Sequence, residues 1–267
     1  MDEGMRLERA LSHYLRSISV RWDDVEDRGI YPFDLPVIRE LKEINFSPTV
    51  TYIVGDNGTG KSTLLEAIAV AVGFNPEGGS RNMNFSTIET HSSLATHLHA
   101  IRGATPRDGY FLRAESFYNV ASKIDELDVD PLDVRLNEPL PPLIDSYGGR
   151  SLHKQSHGES FWALFTERFR GNGLYILDEP EAALSPTRQL AFLLRMQDLV
   201  KAGSQFLIAT HAPIVLSYPG ALIYELRDGE LLETALEDTE TFNVTRSFLA
   251  NREAALDELL NKDEDAE

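Results

Sequence analysis

Three short runs stand out because almost every position in them is apolar: Val50-Thr51-Tyr52-Ile53-Val54, Leu174-Tyr175-Ile176-Leu177 and Gln205-Phe206-Leu207-Ile208-Ala209. Runs of this length with no polar alternation suit strands covered on both faces, as parallel strands are. Gly109-Tyr110-Phe111-Leu112-Arg113 and Ala221-Leu222-Ile223-Tyr224-Glu225-Leu226 read as two further strands, the second followed by the hairpin-like Arg227-Asp228-Gly229-Glu230. Helical patterns lie between them. One runs from Thr63 to Val70 and another from Phe161 to Phe169. A third, from Pro186 at a first-turn position to about Lys201, places Leu190, Leu193, Leu194, Gln197 and Val200 on one stripe. A terminal helix carrying Phe248, Leu249, Leu256 and Leu259 follows.

Strands alternating with helices predict an α/β fold with a mostly parallel sheet flanked by helices. Residues 1–49 hold the candidate strand Ser17-Ile18-Ser19-Val20-Arg21-Trp22, the turn-prone Tyr31-Pro32-Phe33-Asp34-Leu35-Pro36 and a short segment around Val37 to Leu41, read as antiparallel edge strands before the first apolar run. From about 119 to 155 the chain is acidic, carries prolines at 131, 139, 141 and 142 and ends in Gly148-Gly149. This stretch is predicted as a small irregular inserted lobe within one domain spanning 1–267, and residues from about 262 to 267 as an acidic tail.

Composition narrows the function classes. The hydrophobic content of 42% is that of a globular protein, and the 267 residues include no Cys, which removes disulfides, thiolate zinc sites and cysteine nucleophiles together. The N-terminal Met1-Asp2-Glu3-Gly4-Met5-Arg6 is charged, and no run approaches the roughly 18 apolar residues of a membrane span, so a cytoplasmic protein is expected. Net charge is −18, and residues 225–267 hold 14 Asp/Glu against 4 Lys/Arg. Such a surplus argues against a chain-wide face for nucleic-acid phosphates, while leaving a local patch open.

Gly55-Asp56-Asn57-Gly58-Thr59-Gly60-Lys61-Ser62 is a complete G-x-x-x-x-G-K-[ST] loop between a strand and a helix, the context that a phosphate-binding loop requires. Backbone N–H groups through Gly55, Asn57, Gly58, Thr59 and Gly60 can point at phosphates, aided by the positive end of the following helix. Lys61 would pair with β- and γ-phosphate oxygens, the Ser62 hydroxyl would ligate Mg²⁺, and the Thr63 hydroxyl could reach the α-phosphate. These residues predict a P-loop protein that binds a nucleoside triphosphate with Mg²⁺. Asp178 and Glu179 follow a buried strand at its C-terminal end, where ligands bind in open α/β sheets. There Asp178 would hold Mg²⁺, and Glu179 would position or deprotonate an attacking water.

Three further tracts carry a resemblance. Ser156-His157-Gly158-Glu159-Ser160, 22 residues before Asp178, resembles the signature motif of ABC-type ATPases; Asp178 to Pro186 resembles their carboxylate motif running into the loop that crosses to a partner subunit; His211, 32 residues after Glu179, resembles their switch histidine. Together with the tract Arg113 to Phe117, these resemble stand-alone bacterial ATPases of the AAA/ABC kind, on the SMC- and RecF-like side of the ABC class. The resemblance implies an ATP-dependent homodimer in which Ser156, Gly158 and Glu159 of one subunit complete the site of the other. It also implies that His211 contacts the γ-phosphate, and that turnover switches an unknown effector.

The chain departs from that pattern in places. His157 replaces a signature glycine and Glu159 the usual glutamine, and Ser185 stands where an aspartate is common. Glu115 is nearest to an expected glutamine; it could ligate Mg²⁺ or pair with Arg113. Trp22, Tyr31 and Phe33 could stack on adenine or pack in the core. His97 and His99 alternate as if on one strand face, without carboxylates to complete a metal site. Two alternatives to an ATPase that switches a partner stay open: a nucleotide-gated binding module with little turnover, and the ATP-binding subunit of a membrane transporter.

Overall fold

The apolar runs converge in one sheet. The computed structural model describes residues 13–81, 93–113, 121–122, 124–125, 143–147, 149, 153 and 157–260. A small antiparallel sheet has β1 (Leu15–Val20) between β2 (Glu43–Asn45) and β5 (Leu98–Arg102). Among the described residues the main sheet has seven strands. Its parallel centre comprises β3 (Val50–Val54), β6 (Asp108–Arg113), β7 (Gly173–Asp178), β8 (Gln205–Ala209) and β9 (Leu222–Arg227). The order is β9-β3-β8-β7-β6, closed by β4 (Gly79–Ser80) beside β6 and β10 (Glu230–Glu233) beside β9, both antiparallel. This is the mostly parallel α/β sheet that the sequence predicts, but the antiparallel strands expected from residues 1–49 lie in the small sheet rather than at its edges, because β1 pairs with β2 and β5, and the segment around Val37 is a helical turn, Pro36–Arg39.

Both faces of the main sheet are buried, which is why its central strands are apolar throughout. On one face Tyr52, Tyr175, Leu177 and Ile208 meet Phe161, Phe165, Phe192 and Met196 from the helical segments at 157–168 and 186–201. On the other, Ile53, Ile176 and Leu207 meet Leu64, Leu65 and Ile68 of the helix Lys61–Ala71, together with Ile18 and Ile44 of the small sheet. Tyr147, from the stretch read as an inserted lobe, is fully buried in the first of these cores. Most of that stretch, and the acidic tail from about 262 to 267, lie outside the described residues.

Gln205 joins the two sheets. Its side-chain oxygen accepts from Tyr14 N (3.1 Å) and Leu15 N (2.9 Å), and its amide donates to Leu15 O and Ser47 O, both at 2.8 Å. At 2% exposure it replaces a missing stretch of backbone ladder.

Four further expectations need correction. The helix Pro186–Lys201 buries Phe192, Met196 and Leu199, whereas Leu190 and Leu194 of the predicted stripe are 55% and 72% exposed. Both stripes have helical spacing, and the larger aromatic and sulfur side chains fill the core. The predicted helix 161–169 begins at His157 and widens into a π-turn over Leu164–Arg168, where Thr166 Oγ1 donates to Trp162 O (2.9 Å) and Arg168 pairs with Asp108 (2.7 Å). The single terminal helix is two, Glu240–Ala250 and Arg252–Leu260, broken at a non-helical Asn251; Leu249 and Leu259 are exposed. His97 ends a short helix, Leu94–His97, and only His99 lies in β5, so the two do not share a strand face.

Candidate functional site

The loop after β3 leads into the helix Lys61–Ala71 through Gly60 at φ +96°. A Cβ there would stand 2.9 Å from Val37 Cγ1, so both the backbone conformation and the packing of Leu35 and Val37 require glycine. Lys61 is buried, and its ammonium donates to Gly55 O and Asp56 O, both at 2.6 Å. Burial lowers its pKa, and the carboxylates of Glu179, Asp178, Asp56 and Glu181 act in the opposite sense. The helix start aligns unpaired N–H groups with its dipole at the same place.

β7 brings Asp178 to this loop. The Ser62 hydroxyl donates to Asp178 Oδ1 at 3.2 Å. The chain then turns sharply: Glu179 N donates to Ala209 O (2.9 Å), and Glu179 itself sits at φ +49°, ψ +54°. A left-handed conformation is uncommon for glutamate, and such residues concentrate at functional sites. From the neighbouring β8, His211 presents Nε2 3.4 Å from Glu179 Oε1, within ion-pair range if the ring is protonated. Lys61, Ser62, Asp178, Glu179 and His211, named from the sequence, thus meet at the C-terminal ends of β3, β7 and β8.

One residue of this cluster had no role in the sequence reading. Glu181, in the single turn Pro180–Ala183, turns one carboxylate oxygen back onto the segment after β8. Glu181 Oε1 accepts from Thr210 Oγ1 (2.7 Å), His211 N (2.7 Å) and Ala212 N (3.2 Å). On the far side, Thr241 Oγ1 donates to His211 O at 3.0 Å. A carboxylate beside Pro180 with no basic residue near it in sequence was the available signal.

The signature-like tract is described from His157 onward. A Cβ on Gly158 would lie 2.8 Å from Ala183 O and 2.9 Å from an Arg188 guanidinium nitrogen, so this glycine lets the helix His157–Ala163 close on the turn after Glu179. Glu159 is exposed beside it. Ser156 and Glu115 lie outside the described residues. Arg113 is paired with Glu66 of the loop's helix at 2.5 Å. Of the three aromatics, Phe33 is buried and meets Trp22 edge-on at 6.3 Å, whereas Tyr31 is 61% exposed with its hydroxyl 3.4 Å from Thr63 Oγ1.

The donors fit a magnesium nucleotide. Ser62 Oγ and Asp178 Oδ1 are adjacent hard oxygens. Among the described residues no three acidic or imidazole groups converge as a complete cage. Mg²⁺ is commonly held in this way, by few protein groups plus phosphate and water. A triphosphate beside Asp178 and Glu179 would also need such a cation to offset like charge.

Residues 28–111 match a family model described as an AAA domain. No curated protein matches the chain. Among solved structures it is similar to the ADP conformation of an ATP-binding cassette of an ABC transporter, with 18% identity and a TM-score of 0.50 over 87% of this chain and 98% of that one. It is also similar to the SMC head domain from Thermotoga maritima (18%, TM-score 0.39, 83% and 98%) and to a dimeric bacterial ABC transporter cassette (15%, 0.41, 74% and 90%). The chain has the fold of that ATP-binding cassette. Among the described residues no helix is long and apolar enough to cross a membrane.

Proposed function

We propose that this chain, on a fold shared with ATP-binding cassettes, binds ATP with Mg²⁺ and hydrolyses its β–γ phosphoanhydride bond. The observation that carries the reading is the meeting of Ser62 with Asp178 and of His211 with Glu179 beside a buried Lys61. Mg²⁺, held by Ser62 and Asp178, would supply charge compensation to the phosphate oxygens. Lys61 orients the β- and γ-phosphates and stabilises charge on the transferred phosphoryl group. Glu179 accepts a proton from the water as its oxygen bonds to the γ-phosphorus, and the electron pair of the broken bond leaves on ADP. His211 orients the γ-phosphate. Tyr31, the exposed aromatic beside Thr63, offers a ring to adenine.

The same reading makes the active form a homodimer. Gly158 and the turn after Glu179 are packed into one surface, which supports a role in which Ser156, Gly158 and Glu159 close over the nucleotide of a second subunit. ATP would then hold the two copies together, and hydrolysis would release them to switch an effector. The test combines steady-state ATPase rates with light scattering. Lys61→Ala should lose nucleotide binding. Glu179→Gln should keep it, lose turnover and accumulate an ATP-bound dimer. A Glu179→Gln protein that turns over ATP at the wild-type rate would refute the reading.

A further inference from the structure

The segment Thr210 to Ala212 is held from one direction by a single carboxylate. Thr210 Oγ1 and the backbone N–H groups of His211 and Ala212 all point at Glu181 Oε1. Thr210 is fully buried, and its hydroxyl also accepts from Ala212 N at 3.1 Å, so the three residues and the carboxylate form a closed hydrogen-bonded unit. The other end of the connection is equally constrained. Glu181 belongs to the turn Pro180–Ala183, where Ala182 N donates to Glu179 O (3.1 Å) and Leu184 N to Glu181 O (2.8 Å). That turn carries Ala183 O, the atom over which Gly158 packs.

We propose that Glu181 is a positioning residue for hydrolysis: its carboxylate fixes the His211 backbone so that the imidazole stands against Glu179, and ties that placement to the turn beneath the signature-like tract. The inference rests on the proposed role of His211 in turnover. A charge-assisted acceptor with three donors is stronger and more directional than a neutral one. It also joins the segments just beyond the last paired residues of β7 and β8, Asp178 and Ala209, where the backbone bonds end with Glu179 N to Ala209 O and Thr210 N to Ile53 O. A movement of the turn on dimer closure would therefore move the His211 backbone with it. Thr241, bonded to His211 O, limits the same segment from the side of the helix Glu240–Ala250. His211 is thus set by two anchors, one on each side of its peptide.

The experiment is steady-state ATPase kinetics with Mg²⁺ on Glu181→Ala, Glu181→Gln, Glu181→Asp, His211→Ala and the double variant Glu181→Ala/His211→Ala. Misplacement of a catalytic group by about 1 Å can cost on the order of a hundredfold. Glu181→Ala should lower kcat by about 10- to 100-fold with KM for ATP changed less than about twofold, the pattern of an interaction made in the transition state. Glu181→Gln keeps an oxygen acceptor and should recover most of the rate. Glu181→Asp keeps the charge but cannot reach, and should resemble Glu181→Ala; it decides the matter if the alanine variant does not fold. The double variant should be no slower than His211→Ala alone, because both changes remove one function. Additive losses in the double variant, or wild-type kcat in Glu181→Asp, would overturn the proposal. If His211→Ala itself turns over at the wild-type rate, the role of His211 fails first, and the inference with it.

Discussion

The Ser62 hydroxyl reaches Asp178 Oδ1 at 3.2 Å across 116 residues of sequence, joining the start of the phosphate helix to the end of β7. On the function proposed above, both oxygens would share one hard cation. Asp178→Asn should weaken Mg·ATP binding by tenfold or more, about 1.4 kcal/mol, while leaving magnesium-free ADP binding within about twofold. Calorimetric titration with and without Mg²⁺ separates the two.

Glu179 holds a left-handed backbone at φ +49°. Glycine carries no penalty there, so Glu179→Gly should leave unfolding stability unchanged or raise it by up to about 1 kcal/mol while abolishing turnover. Urea denaturation set beside the ATPase rate checks the trade. A large loss of stability would mean that the side chain, and not the chemistry, dictates this residue.

Gln205 satisfies two buried N–H groups and two carbonyls at once. Gln205→Leu strands them, and at roughly 1 kcal/mol or more per unsatisfied group the variant should lose about 3 kcal/mol or more of stability. Guanidinium denaturation measures it.

His13 gives a pH signature. Burial lowers its pKa from 6.5, partly opposed by its ring N–H bond to Phe46 O at 2.8 Å. The folded pKa lies below the unfolded one, so its contribution to stability is complete above pH 6.5 and is lost as pH falls through the folded value. Wild type should therefore lose more stability than His13→Gln between pH 8 and pH 5, measured by thermal melts in matched salt.

Tyr31 is exposed beside the loop, and Phe33 is not. Tyr31→Ala should raise KM for ATP by about two- to tenfold at nearly constant kcat, and Tyr31→Phe should stay near wild type, given about 0.5–1.5 kcal/mol for an aromatic pair. An unchanged KM in the alanine variant would take adenine away from this ring.

The residues that meet at the candidate site could be picked out in the sequence because their chemistry is written in local spacing. A glycine loop between strand and helix, and two carboxylates after an apolar run, declare themselves within ten residues. Glu181 did not, since its partners lie about 30 residues away and are mostly backbone atoms that any sequence supplies. Gln205 was read only as the start of a strand, because its partners are backbone atoms of the small sheet and its approach. The helix at 186–201 offered two apolar stripes. Only packing against Phe165, with ring centroids 4.4 Å from Phe192, selected the one that is buried.

Gln205 opens β8, and the strand's other end, Ala209, leads directly into Thr210 and His211. The small sheet is therefore bolted to one end of a stiff rod whose opposite tip carries the histidine. Tilting that sheet would first have to shear Gln205 from Leu15 and Ser47; short of that, a load applied to β1 would be passed along β8 toward His211, which the proposed function sets beside the γ-phosphate.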